Sequence, residues 1–286
     1  MWEDIEHPSR QSALLDYHRQ LGAELMIWND MLVPSHYEKN INVEHYAIRQ
    51  RTALTDMSGI KKVWIAGSDA ELVLNHAITR NCSNLQHGEA TYTALLNDLG
   101  NVIDDAILLR MDDGGSNLAK AEWLLCMGAG SGFDSLSELA VDHRVELNID
   151  ENLHCLLIQG NKAYRDVPVI FNCPDFLELK RFQHLYTKIF DCDVIISRTS
   201  YSGEDGFEIF ADKSDVLVIW KKALQYSCLP VIPVGFEALN IARIEAGLLF
   251  FGKDMTGYET PSELDLDFVV DFGKKNFRGK ENLLIK

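Results

Sequence analysis

Apolar side chains at Leu14, Leu15, Leu21 and Leu25 recur among polar neighbours over residues 9–25, the period of one helical face, with Ser9 placed to cap the start. A second helical stretch begins near Val43 and closes through Arg49 to Leu54. Residues 62–67 read as a strand, and Gly67-Ser68-Asp69 as the turn that caps a helix over 70–78. Three apolar runs follow, 91–97, 102–111 and 123–127, parted by turns at 98–100 and 112–115, and they predict an antiparallel sheet. Residues 131–139 are helical, and 153–159 form a strand that turns at Gly160-Asn161. Further on, 193–198 and 206–210 are strand-like around a Ser-Gly-Glu-Asp-Gly turn, and 215–226 is an amphipathic helix. Pro233-Val-Gly235 leads into a last helix over 236–246, ended by Gly247. Strands and helices thus alternate irregularly, which predicts an α+β fold rather than a doubly wound parallel sheet. No repeat, low-complexity tract or long linker announces a domain boundary.

A chain of 286 residues with 47% apolar content can bury a sizeable core, as one large or two intertwined domains. Its longest apolar stretches, such as 216–220 and 228–234, fall short of the run of about 20 residues that spans a bilayer. The start, Met1-Trp2-Glu3-Asp4-Ile5-Glu6, is acidic where a leader would be basic, so a cytoplasmic protein is expected. The formal charge of −16, from 43 acids against 27 bases, argues against nucleic acid and anionic membranes as partners. A local basic pocket for an anionic cofactor stays open, because focusing depends on nearby charge. The six cysteines are tens of residues apart, which predicts neither a disulfide framework nor a zinc site, and Cys126 and Cys155 stand in apolar runs as small buried hydrophobes.

Familiar site signatures such as G-x-S-x-G, the phosphate-binding loop and H-E-x-x-H are missing. Gly128-Ala-Gly130-Ser-Gly132 suggests a nucleotide loop, but the third glycine of that pattern would be Phe133, so a tight strand-to-helix turn is expected. The histidines form no i, i+4 pair; His36, His45 and His154 read as core or surface residues, and no metal is expected. Asp104 and Asp105 stand out because they interrupt an apolar strand. Alternation sends them to opposite faces, so one must point where core would otherwise be. Function and the capping of a turn at the strand start are equally open for the pair. In the second cluster, Gly203 and Gly206 bracket Glu204 and Asp205 in a tight turn, which can hold a carboxylate at a pocket rim or simply leave it solvated.

Read together, these pieces resemble the glycine-cleavage T-protein (aminomethyltransferase) family over nearly the whole chain. The matching segments, in order, are Trp28 to Tyr37 with Pro34; Glu44-His45-Tyr-Ala47-Ile-Arg49; Leu54-Thr-Asp56-Met-Ser58; Val102-Ile-Asp104-Asp105; Ile158-Gln159-Gly160; Tyr201-Ser-Gly203-Glu204-Asp-Gly206-Phe-Glu208-Ile; Arg243-Ile-Glu245-Ala-Gly247; and Phe277-Arg-Gly279-Lys280-Glu281. The resemblance implies two intertwined α+β folate-binding domains around a central channel, one of them discontinuous (1–50 with 151–255, against 51–150). Residues 256–286 would begin a C-terminal β-barrel that is absent or truncated here.

The resemblance also implies tetrahydrofolate as cofactor, and transfer to it of a one-carbon unit from a small methylated or aminomethyl donor. Position by position, Asp104 looks like the catalytic aspartate beside folate N5, and Glu204 like the glutamate that hydrogen-bonds the pteridine. Tyr92 and Tyr201 match tyrosines lining the pocket, and Asp105 and Arg243 are implied as further cofactor contacts. A fixed carboxylate can accept adjacent pterin N–H donors, and a partly buried one can manage a proton at N5. A lipoyl carrier protein would be the partner of a true T-protein. Leu239-Asn240 replaces a family arginine, and 56–60 lacks the usual His-Met pair, whereas 248–256 with 264–268 is similar to relatives that demethylate sulfonium, methylamine or aryl-ether compounds. A non-catalytic folate-binding or regulatory protein is the alternative; the Lys-Gly-Cys-Tyr motif of the relative that assists iron–sulfur enzymes is not found.

Overall fold

The computed structural model describes residues 8–111, 118, 120–226 and 228–285; the turn expected over 112–115 lies outside them. In chain order the first elements are β1 (Arg10–Gln11), α1 (Leu15–Gln20), β2 (Glu24–Trp28), β3 (Met31–His36), α2 (Ile41–Gln50), β4 (Thr52–Asp56), β5 (Lys61–Ala66), α3 (Ala70–Ala77), β6 (Glu89–Leu96), β7 (Val102–Arg110), β8 (Trp123–Met127), α4 (Gly132–Ala140) and β9 (Glu146–Ile149). There follow β10 (Leu153–Gln159), α5 (Ala163–Ile170), α6 (Asp175–Glu178), β11 (His184–Ile189), β12 (Cys192–Ser197), β13 (Gly206–Asp212), α7 (Val216–Gln225), β14 (Val231–Pro233), α8 (Phe236–Glu245) and α9 (Lys280–Ile285). The fold is α+β, and its described residues group into two compact units that divide at Gly59, at Asp150 and at Leu248.

The first unit runs to Gly59 and resumes over Glu151–Leu248. Its main sheet has the order β11-β12-β13-β10-β4-β14, antiparallel except where β14 runs parallel to β4. One face of that sheet, with Leu54, Ile158, Ile196 and Ile209, packs on α5 and α7 through Val167, Ile170, Ile219 and Trp220, all buried. Burial of apolar area on this scale is the main source of stability. Glu44 of α2 is buried too, but its carboxylate is satisfied: it accepts the N–H groups of Tyr37 (2.6 Å), Glu38 (2.8 Å) and, where α8 begins, Gly235 (2.7 Å).

The second unit takes the described residues of 60–111, 120–150 and 249–285. Its antiparallel sheet has the order β6-β7-β8-β5-β9, backed by α3 and α4 over a core that includes Val63, Leu74, Leu108, Trp123 and Leu136. The three runs expected to form an antiparallel sheet are β6, β7 and β8, neighbours in that order. A smaller apolar cluster joins Ala94, Leu96 and Val102 to Met255, Leu266, Val269 and Phe277.

The helix expected over 9–25 is shorter. Gly22, at φ +80°, ends α1, and Leu25 pairs in β2 opposite Pro34. Ser9 does not cap; its N–H donates to Asp30 Oδ1 at 3.0 Å, while Arg10 pairs with Met31. The second expected helix likewise stops at Gln50, because Arg51 is extended and Leu54 is taken up by β4, which pairs with β10. The five cysteines from Cys82 to Cys192 are buried and Cys228 is exposed, all as free thiols.

Candidate functional site

Within the second unit, β7 sends its two aspartates to opposite faces. Asp104 is 1% exposed. Its Oδ1 accepts the N–H of Asp105 at 3.0 Å and its Oδ2 that of Gly132, at the start of α4, at 3.3 Å. Such close approach needs glycine: a Cβ on Gly130 would fall 2.7 Å from Asp104 Cγ, and one on Gly132 2.8 Å from its Oδ2. The Gly128–Gly132 turn is therefore the lid of a buried carboxylate. Burial, then the neighbouring Asp105 charge, pushes Asp104 up to about 7 against the pull of the surrounding N–H groups.

Asp105 is half-buried on the other face. Ala94 of β6 stands opposite it, which makes Tyr92 its diagonal neighbour, and the Tyr92 hydroxyl donates to Asp105 Oδ2 at 2.8 Å. Burial pushes Asp105 up to about 6, and the Tyr92 bond pulls it back. The Phe268 ring stands 6.4 Å from that of Tyr92. The structure thus brings Tyr92 together with Asp105, and not with Asp104.

In the first unit, Glu204 sits in the turn between β12 and β13, where Gly203 takes φ +81°. Its side chain is 24% exposed and its Oε1 pairs with Arg49 Nη1 at 3.0 Å. Arg49, on α2, also donates to Ser202 O (2.8 Å), Ala242 O (2.9 Å) and, from Nε and Nη2, to Glu245 Oε2 at 3.0 and 2.6 Å. The N–H of Tyr201 donates to Gln159 Oε1 at 3.2 Å, while Gln159 Nε2 is buried without a partner among the described residues. Arg243 is 3% exposed. Its guanidinium is held by Asn240 Oδ1 at 2.9 and 2.8 Å and by Leu248 O at 2.9 Å.

Sequence reasoning attached no chemistry to Arg49, whose partners come from sequence-distant segments that no periodicity reports. It also missed a buried network in the first unit. Asp56 Oδ2 accepts from Ser12 Oγ at 2.5 Å and lies 3.0 Å from His18 Nε2, while His18 Nδ1 is 2.8 Å from the Tyr37 hydroxyl. Burial works to raise the Asp56 carboxyl, but His18, Ser12 and Ser58 outweigh it and hold it well below the usual carboxylate range. Among the described residues no group of three His, Cys, Asp or Glu could hold a metal ion, and no helix is long and apolar enough to cross a membrane.

Comparison with known proteins supplies the context for these groups. A family model, the GCVT N-terminal domain, matches residues 14–274. The chain is 39% identical over 280 residues to the heme-dependent oxidative N-demethylase gamma subunit of Ectopseudomonas mendocina, covering 94% of this chain and 72% of that one. It is 31% identical to the aminomethyltransferase of Thermosipho melanesiensis, covering 96% and 73%. Among solved structures it is similar to the glycine cleavage system aminomethyltransferase T from Bartonella henselae, with TM-score 0.85 and 28% identity over 96% of this chain and 74% of that one.

Proposed function

This chain belongs to the family of the GCVT N-terminal domain, which makes it a transferase of the aminomethyltransferase kind, and we propose that it moves a one-carbon unit from a small methylated amine to tetrahydrofolate. Tetrahydrofolate would supply a nucleophilic ring nitrogen that accepts the carbon. The observation that carries the reading is the Tyr92–Asp105 pair. A half-buried carboxylate raised to about 6 is ionised at neutral pH yet close enough to it to take up a proton shed at that nitrogen. Asp105 is accordingly the reactive carboxylate in this proposal, and Asp104, closed under the start of α4, holds β7 to that helix. The proposal thus moves the reactive role from Asp104 to Asp105, since adjacent aspartates are equivalent by motif and differ only in the face they take.

Glu204 fits a pterin, since its Oε2 has no protein partner among the described residues and can accept ring N–H groups while Oε1 stays with Arg49. Arg243 acts as a support rather than as a donor to the ring, because its guanidinium is engaged by Asn240 and Leu248, and Tyr201 is assigned to the pocket lining by the family resemblance. The methylated-amine donor is favoured by the likeness to a gamma subunit named as part of an N-demethylase, and the same likeness suggests work alongside other subunits. A lipoyl carrier protein would take the donor's place in a glycine-cleavage reading, which the likeness to aminomethyltransferases keeps in play. The test is to incubate the protein with tetrahydrofolate and a series of methylated amines and sulfonium compounds, and to assay 5-methyl-tetrahydrofolate, the product of redox-neutral methyl transfer, by mass spectrometry. Product from an amine supports the proposal; product from a sulfonium compound alone replaces the donor class, and none from any donor, in a protein that binds tetrahydrofolate, favours a non-catalytic folate-binding role.

A further inference from the structure

We propose that Arg49 is the positioning residue for Glu204, fixing the carboxylate in the orientation from which it accepts the pterin N–H groups; the inference rests on the reading of Glu204 above. Arg49 uses all five guanidinium N–H groups on fixed acceptors. Nη1 spans two atoms of one turn, the Ser202 carbonyl at 2.8 Å and Glu204 Oε1 at 3.0 Å. Nε and Nη2 grip Glu245 Oε2, which is itself 2.9 Å from His45 Nε2, one helical turn from Arg49 on α2. The remaining bond goes to Ala242 O in the last turn of α8.

The turn that carries Glu204 lies against the same end of α8, where a Cβ on Gly203 would fall 2.7 Å from Ala246 Cβ. The guanidinium therefore ties the Glu204 turn to α2 and α8 at once, and it occupies Oε1 so that Oε2 is the oxygen left for a ligand. A lysine ammonium is a point charge without the planar fork, and cannot satisfy Glu245, Ala242, Ser202 and Glu204 together. The charge of Glu204 would survive such a change; its orientation would not.

A double-mutant cycle tests this, with tetrahydrofolate affinity measured by calorimetry on the full chain for the parent, Glu204→Gln, Arg49→Lys and the double variant, each first shown to be folded by its thermal melt. Glu204→Gln is expected to weaken binding by about 10-fold or more, and Arg49→Lys by about 10-fold, the range of a charge-assisted hydrogen bond. The double variant is expected to bind no more weakly than Glu204→Gln alone, and Arg49→Lys to raise KM for tetrahydrofolate with little change in kcat. Losses that add in full, or an Arg49→Lys protein that binds like the parent, overturn the proposal. A silent Glu204→Gln beside a weakened Arg49→Lys overturns the pterin role of Glu204 and this inference with it. Should Arg49→Lys not fold, Arg49→Gln takes its place in the same cycle.

Discussion

The Tyr92 hydroxyl donates to the Asp105 carboxylate across 2.8 Å, while Asp104, one residue earlier on the same strand, turns its carboxylate to the opposite face and meets the N–H of Gly132. In the proposed function, that division of two adjacent acids leaves Asp105 as the one available for chemistry.

Asp105→Asn should therefore lower turnover by roughly 10² to 10⁴, the range for losing a positioned base, with tetrahydrofolate affinity changed little. Asp104→Asn should leave turnover within a few-fold of the parent. Steady-state assays of the two variants check this, and the opposite pattern would return the reactive role to Asp104.

Removing the Tyr92 hydroxyl takes away a bond that favours the charged form of Asp105, so Tyr92→Phe should raise its pKa above about 6. The acid limb of the kcat/KM profile should move to higher pH, with activity at pH 8 retained. A limb that stays in place would show that Asp105 does not set it.

Asp104 carries a testable pH signature in stability. Its folded value, about 7, lies above its ordinary 3.8, so between about pH 4 and 7 the native state holds a proton that the unfolded chain has lost. Stability falls as pH rises through that window. Asp104→Asn has no such proton, and its melting temperature should improve relative to the parent between pH 5 and pH 8; parallel curves for the two proteins would contradict the burial argument.

Gly130→Ala puts a methyl carbon against Asp104 and the backbone of Ile103, where neither can give way cheaply. A cost of about 1–3 kcal/mol is expected from such overpacking. Urea denaturation measures it, and an unchanged midpoint would mean that the turn over Asp104 is looser than described.

Much of this was legible in the chain and some was not, for physical reasons. The alternation of β7 is local, so the opposite facing of Asp104 and Asp105 could be read directly, but which face holds the core depends on α4 packing over one of them. The apolar spacing from Leu14 to Leu25 imitates one helix because helical and strand periods coincide over so few residues; Gly22 was the signal that breaks it. α5 was missed because Pro168 stands inside it, β9 because its alternation runs over only 4 residues, and β11 because adjacent Leu185 and Tyr186 break the alternation. The partners of Arg49 come from residues 202–245, and contacts of that sequence separation leave no periodic trace. Asp56 and His18 are silent in the same way, since each is an isolated polar residue until the fold joins them.

The most direct test of the account is a calorimetric titration of the protein with tetrahydrofolate. A single saturable transition is expected, weakened by roughly 1–3 kcal/mol in Glu204→Gln, together with a rise in melting temperature as ligand is added. No heat and no thermal shift at millimolar tetrahydrofolate, in a protein shown to be folded, would contradict the central claim.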